Sequence, residues 1–209
     1  MMIRFGSTIE GVICESWTPR ILCLGGTTRS GSTSERALRA AFELARAAGA
    51  DTYLLLASDL ELPAYAPHRG PHGLKARRMI ELARQADGII LSTPGFHGGP
   101  SGLIKNALDH LEELRVDDRP YLDGRAVGCL VCAAGSQATI TTLSSIRSTV
   151  HALRGWPTPL GVTINTGPTP DGTDPVAGAS AQLSLLVGQV VDFARWRRMA
   201  KATTAVVAA

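Results

Sequence analysis

The chain has 209 residues, 44% of them apolar, with a net charge of +3 and a pI near 8.8. That is enough apolar chain for one α/β domain with a full core. The mild basicity comes without a lysine/arginine block or basic–aromatic interleaving, and no apolar run approaches the roughly 20 residues of a membrane span, so nucleic acid and membrane are excluded as expected partners.

Residues 1–19 read as an extension ahead of the first strand. MMIRFGSTIEGVICESWTP has neither the apolar h-region nor the cleavage site of a signal peptide, so a cytoplasmic location is expected. The first strand is RILCLGG (20–26), an apolar run without polar alternation, as in strands covered on both faces. After it, GGTTRSG (25–31) leads into a helix expected over 34–48. Thr33 or Ser34 suits its N-cap, and Ala37, Leu38, Ala41, Phe42 and Ala45 form its apolar stripe. The loop is neither G-x-G-x-x-G nor a Walker A sequence. It carries hydroxyls at Thr27, Thr28, Ser30, Ser32, Thr33 and Ser34, and one cation, Arg29. Capping needs a single hydroxyl. Six of them, with loop N–H groups and the positive end of a helix, suit a terminal phosphate monoester wrapped on several sides. A bridging pyrophosphate would need glycines for close backbone approach. Flavin mononucleotide carries such a monoester.

The second strand is expected in DTYLLLASDL (51–60), followed by a weaker helical pattern over 73–86 with Leu82 and Ala83 on its apolar side. His68 and His72 lie four apart in a Pro/Gly loop with no carboxylate or cysteine pattern to complete a site, so no metal is expected. DGIILSTP (87–94) is the third strand, and it runs into TPGFHGGPSGLIKNALDHL (93–111). There Pro94, Gly98, Gly99 and Pro100 shape a tight loop that lets backbone lie near a flat ring. Phe96 and His97 are the side chains most able to touch that ring, His97 as a contact rather than as an acid or base. Ser101 suits the N-cap of a helix over 102–114, with Leu103, Ile104, Ala107, Leu108 and Leu111 facing inward. Lys105, Asn106 and Asp109 suit packing, pairing or interface roles.

RAVGCLVCAAG (125–135) is the fourth strand. Its Cys129-Leu-Val-Cys132 has C-x-x-C spacing, but residues three apart on a strand point to opposite faces, so two separate core thiols are expected. The turn AAGSQAT (133–139) either lines the far end of a ligand or simply joins strand to helix. The helix after it shows Ile140, Leu143, Ile146, Val150 and Leu153 as a stripe. TPLGVTINT (158–166) is the fifth strand, GPTPDGTDPVAG (167–178) a Pro/Gly-rich loop, and Leu183, Leu186, Val187, Val190, Val191 and Ala194 the stripe of a last helix. Arg195, Arg197, Arg198 and Lys201 near its end read as a solvated terminus that complements the helix dipole. Residues 202–209 read as a tail.

Alternating β and α elements imply one domain over 20–201, with a parallel sheet, helices on both faces and right-handed crossovers. In a doubly wound sheet of order 2-1-3-4-5, strands one and three flank the switch point, and ligands sit outside the carboxyl ends of the strands. Residues 27–34 and 94–102 are therefore expected to face one cleft.

GGTTRSGSTSERAL (25–38) and TPGFHGGPSGLIKNALDHL (93–111), with LELPAYAP (60–67) after the second strand, resemble the NADPH-dependent FMN reductase family, of flavodoxin-like fold. The likeness spans roughly residues 20–166. It implies a three-layer sandwich on a five-stranded parallel sheet. It also implies FMN as cofactor, NADPH or NADH as co-substrate, and an oxidoreductase in which flavin N5 carries the chemistry and no residue acts as acid or base. By position, Thr27, Arg29, Ser32 and Ser34 would hold the FMN phosphate. Pro94, Gly95, Phe96, His97 and Gly98 would lie along the isoalloxazine and ribityl chain, and Gly135 and Ser136 would border the ring. Thr27 stands for the family's frequent serine and keeps the hydroxyl. Phe96 stands for a tyrosine, which keeps stacking and loses a phenolic hydrogen bond, and Gly95 stands where a larger residue is common. The resemblance implies a reductase supplying reduced FMN to a monooxygenase. The alternatives are an FMN-holding reductase of quinones, azo compounds or metal oxyanions, and a non-enzymatic flavodoxin-type carrier, against which the +3 charge argues because flavodoxins are usually acidic. The family's dimers and tetramers imply a homodimer or homotetramer, with helices 101–114 and 137–154 as contact candidates. A nicotinamide 2′-phosphate could meet Arg69 or Arg77.

Overall fold

The computed structural model describes residues 17–68, 73–168 and 172–207. In chain order its elements are β1 (Arg20–Gly25), α1 (Thr33–Ala47), β2 (Asp51–Leu55), α2 (Ala57–Leu60), α3 (Gly73–Gln85), β3 (Gly88–Phe96), β4 (Gly99–Pro100) and α4 (Gly102–Asp109). A 3-10 turn, His110–Leu114, extends α4. Then come β5 (Ala126–Ala133), α5 (Ser136–Ala152), β6 (Trp156–Pro157), β7 (Val162–Asn165), α6 (Pro175–Gly178) and α7 (Ser180–Val207).

The apolar runs pair in parallel as β2-β1-β3-β5, and both β6 and β7 occupy the position beyond β5. The five parallel positions are therefore ordered 2-1-3-4-5. The fifth is broken between Pro157 and Val162, where Pro159 can donate nothing to a ladder and the Leu160 amide donates instead to Gln189 Oε1 at 3.1 Å. β4 is a two-residue antiparallel addition on β3.

Strand alternation divides the core in two. Leu22, Leu24, Ile89, Leu91, Val127 and Cys129 pack with α3, α4 and α5, while Ile21, Cys23, Ile90, Leu130 and Cys132 pack with α1 and α7. Cys129 and Cys132 thus lie on opposite faces of β5, as strand spacing requires. Cys14 and residues 1–16 fall outside the described residues, as do Arg69 and His72.

Four local readings are corrected. The second strand ends at Leu55, because Asp59 Oδ2 accepts the Leu56 amide at 3.0 Å and turns 57–60 into α2. The cap of α1 is Ser32, whose Oγ accepts the Glu35 amide at 3.3 Å. In α5, Ile140 is 61% exposed and the inward face is Thr139, Thr142, Ile146 and Val150. The first turns of α5 rest on the β3–β4 loop, where Thr142 Oγ1 donates to Gly99 O at 3.4 Å, so a threonine face and not the aliphatic one meets it. Finally, α7 continues to Val207, so residues 202–207 are its last turns and not a separate tail.

Arg125, 1% exposed, is the largest fully buried side chain among the described residues. Its guanidinium donates to the carbonyls of Ala86 at 3.0 Å, Arg84 at 2.7 Å and Tyr121 at 3.0 Å, which closes the C-terminal end of α3 against β5. Burial, reinforced by repulsion from Arg119, pushes its pKa down to about 10.

The carboxyl end of β1 lies close against the middle of β3. Gly25 has φ +152°, and a Cβ there would run into the Ser92 carbonyl and lie 2.8 Å from the Ser92 nitrogen. Gly25→Ala is expected to lower unfolding free energy by about 3 kcal/mol, the upper end of overpacking costs, with an unchanged m-value in urea denaturation.

Candidate functional site

The first loop is built around a helix start. Thr27 Oγ1 accepts the Arg29 amide at 3.1 Å, folding the chain back on itself. Ser32 caps α1, and its Oγ lies 3.3 Å from Ser34 Oγ. Glu35 Oε2 accepts the Gly31 amide at 3.1 Å, while Glu35 Oε1 is held by Arg39 Nε at 2.9 Å. These bonds use the buried hydroxyls of Ser32 and Ser34 to shape the turn. Thr28 and Arg29 are left exposed. The Thr33 and Ser34 amides, in the first turn of α1, have no acceptor among the described residues. Arg36 is paired with Asp174 at 2.7 Å, and Arg39 with Glu35. Arg29 has no carboxylate partner among the described residues. The turn therefore presents a positive helix end and an unneutralised guanidinium to the same space.

The second loop is tied directly to the first. Ser92 Oγ donates to Ser34 O at 2.8 Å, and the Gly26 amide donates to Ser92 O at 3.1 Å. Gly95 pairs with Pro100 and Phe96 with Gly99, so His97 and Gly98 are the two central residues of a hairpin. Both have positive φ, +52° and +83°, as a type I′ turn demands. Gly95 lies hard against α5: a Cβ there would sit 2.7 Å from Thr142 Oγ1 and 3.1 Å from Ala133 Cβ. That contact explains the missing side chain at this position.

The far wall comes from the carboxyl ends of β5 and β7. Asn165 Oδ1 accepts the Gly135 amide at 3.1 Å and the Gly167 amide at 2.9 Å, binding the two loops into one body.

Between these loops lies a cleft of about 510 Å³. Thr27, Arg29, Ser32, Ser34, Pro94, Gly95 and Phe96 line it, as the sequence leads one to expect. His97, Gly98, Gly135 and Ser136 do not line it. His97 and Gly98 form the hairpin tip, and Gly135 and Ser136 start α5 on its border. Arg77 stands on α3, away from the lining. The cleft also takes in Thr28, Thr33, Cys132, Ala133, Ala134, Ala138 and Thr166. The small residues Gly95, Ala133, Ala134 and Ala138 make a slot beside the phosphate-suited turn. Phe96 stands at its mouth, 55% exposed. A volume of this size is within the roughly 300–1,000 Å³ of small-molecule sites. The donor set at one end and the narrow slot at the other fit FMN.

The fold and site together define a flavodoxin-like protein. Solved structures agree on the fold: NADH:FMN oxidoreductase in its apo form aligns with TM-score 0.62 at 19% identity, over 85% of this chain and 89% of that one. The flavoenzyme NAD(P)H:(acceptor) oxidoreductase from Paracoccus denitrificans aligns with TM-score 0.64 at 16% identity, over 86% of this chain and 99% of that one. The family model described as NADPH-dependent FMN reductase matches residues 19–169, and the chain belongs to that family. A relative from Staphylococcus aureus (strain USA300), FMN-dependent NADPH-azoreductase, is 34% identical over 118 residues, 54% of this chain and 59% of that protein. NADPH azoreductase from Bacillus sp. (strain OY1-2) is 32% identical over 91 residues, 43% of this chain and 48% of that protein. The chain thus spans about half the length of these curated relatives.

Among the described residues no group of three or more potential metal ligands occurs. The one thiol in the cleft wall, Cys132, is pushed up to about 12 by burial, as are Cys23 and Cys129, and is a neutral spacer at physiological pH. A Cys14→Ser variant is expected to show no reaction with a thiol reagent at pH 8 while folded, and to titrate all three remaining thiols after unfolding in guanidinium.

Proposed function

We propose that this chain holds FMN in the cleft and acts as an NAD(P)H-dependent flavin reductase. The observation that carries the reading is the meeting, in one cleft, of an anion-binding turn with no countercharge for Arg29 and a slot walled by small residues. Arg29, Thr28, Thr33 and the first amides of α1 hold the phosphate, and Thr27, Ser32 and Ser34 keep the turn in shape. Pro94, Gly95 and Phe96 bound the ring on one side, and Ala133, Ala134 and Ala138 on the other. When bound, FMN supplies the hydride acceptor for a nicotinamide and the two-electron donor for the final acceptor. The residues here orient the two partners and exclude water. No titratable side chain of the lining is needed as acid or base.

The exposed Phe96 at the mouth offers a face on which a flat nicotinamide or acceptor ring can stack. The electrons then have two fates. Flavin that exchanges freely delivers reduced FMN to a partner monooxygenase. Flavin that stays bound reduces an external acceptor, and the azoreductases among the relatives favour azo compounds or quinones for that role. We further place the active form as a cytoplasmic homodimer or homotetramer joined through α4 and α5. Among the described residues no helix is long and apolar enough to cross a membrane.

Anaerobic titration of the FMN-loaded protein with NADPH, and separately NADH, is expected to bleach the flavin absorbance. Failure of both nucleotides would sink the enzyme reading. Gel filtration separates the two fates, since a yellow protein after the column marks tight flavin. Arg29→Ala is expected to weaken FMN binding by about 1.5–3 kcal/mol, the worth of a charge-assisted contact, read by fluorescence quenching of FMN.

A further inference from the structure

A second hollow, of about 130 Å³, lies at the other edge of the sheet, where β3 and β5 begin. Its charged lining comes from segments far apart in sequence: Asp87 before β3, Arg119 and Asp123 before β5, and Arg197, Arg198 and Lys201 on α7. Trp17 closes one side, with the Arg198 guanidinium 5.8 Å from its ring centroid. Four cations thus face two carboxylates. Asp87 is already engaged: Oδ2 accepts the Arg20 amide at 3.0 Å, and Oδ1 lies 3.7 Å from Arg119 Nη1. Asp123 makes no ion pair with any cation among the described residues. Arg197, Arg198 and Lys201 have none among the described residues either.

Two of the cations, Arg197 and Arg119, are held in place. Arg197 lies flat against Gly124, where a Cβ would come within 2.8 Å of Nη2. Arg119 gives Nη2 to Ala86 O at 2.5 Å, which leaves its Nε shut away from solvent with no hydrogen-bond partner. A buried donor without an acceptor is costly. Behind it, buried Arg125 has carbonyl partners only and adds a further positive charge. Dipole complementation, expected from the sequence, does not account for these cations, because α7 runs on to Val207 and its last turn carries no basic residue. Nor would it bring them to Arg119 from another segment.

We propose that this hollow is an oxyanion site that takes one phosphate group, as inorganic phosphate or as the end of a phosphomonoester. Its size admits a single tetrahedral group and not a whole nucleotide. The Arg197 and Arg198 guanidiniums and the Lys201 ammonium supply donors from α7, Arg119 adds positive charge from the other segment, and the bound anion ties the 115–125 segment to α7. The site is separate from the cleft and does not depend on what the cleft binds.

The test is calorimetric titration with potassium phosphate against potassium chloride at equal ionic strength. It uses, with FMN saturating the cleft, the wild-type chain, Arg29→Ala, and the double variant Arg197→Ala/Lys201→Ala. Phosphate is expected to bind wild type and Arg29→Ala alike, and at least about tenfold more weakly in the double variant, as loss of two charge-assisted contacts requires. Arg197→Lys/Lys201→Arg is expected to retain binding. Both positions are exposed, so melting in phosphate-free buffer should be unchanged in every variant. A parallel titration with glycerol phosphate identifies the source: binding of both ligands assigns a phosphomonoester, and binding of phosphate alone assigns the free ion. The proposal is overturned if chloride gives the same heat, if the double variant titrates like wild type, or if Arg29→Ala abolishes the signal and so puts the anion in the cleft.

Discussion

The close approach of β1 to β3 at Gly25 and Ser92 is the constraint on which the cleft depends. With no side chain at Gly25, β1 stays paired with β3 up to its own last residue, opposite Ser92. Ser92 then gives its hydroxyl to the Ser34 carbonyl, and its own carbonyl accepts the Gly26 amide. One residue in the middle of β3 thereby fixes where β1 leaves the sheet and where α1 begins. The phosphate-suited turn and the ring-suited slot are neighbours because that joint admits little play. A parallel sheet offers such a crevice only where the strand order reverses, and here the reversal falls between these two strands.

Charge is distributed to match. Around the cleft, Arg36 and Arg39 are paired with Asp174 and Glu35, and Arg29 alone among these arginines stays without a countercharge. Glu35 at the start of α1 is itself quenched by Arg39, so it does not repel an incoming anion at full strength. At the far edge of the sheet, Arg119, Arg125, Arg197 and Lys201 accumulate with too few carboxylates to balance them. Both ends of β3 and β5 thus carry uncompensated positive charge, one from a helix terminus with Arg29 and one from side chains alone.

Much of this architecture is legible in the residues alone. Strands buried on both faces announce themselves as uninterrupted apolar runs, and β1, β3 and β5 fall where those runs lie. The hydroxyl-rich turn is legible because its chemistry exceeds what a helix cap needs. The β4 hairpin is not, since a type I′ turn is usually written with Asn or Asp before Gly, and here His97 fills that place. Ala133, Ala134 and Ala138 carry no chemical signal, so their part in the slot emerges only once α5 is seated on Gly95. The inward face of α5 escapes an aliphatic pattern for the same reason: its neighbour is a polar loop, and packing against a loop favours threonine over Ile140. The convergence of α7 cations on Arg119 joins positions far apart in the chain, which no local pattern encodes.

The Asn165 carboxamide has a further consequence. A single oxygen accepting amides from both Gly135 and Gly167 makes the back of the crevice one rigid unit, so neither loop can yield without the other. Any adaptation to bulkier guests has to come from the opposite side, where the Phe96 hairpin projects into solvent on a two-residue tip. The crevice therefore has one fixed jaw and one adjustable jaw, the latter formed by residues 96–98.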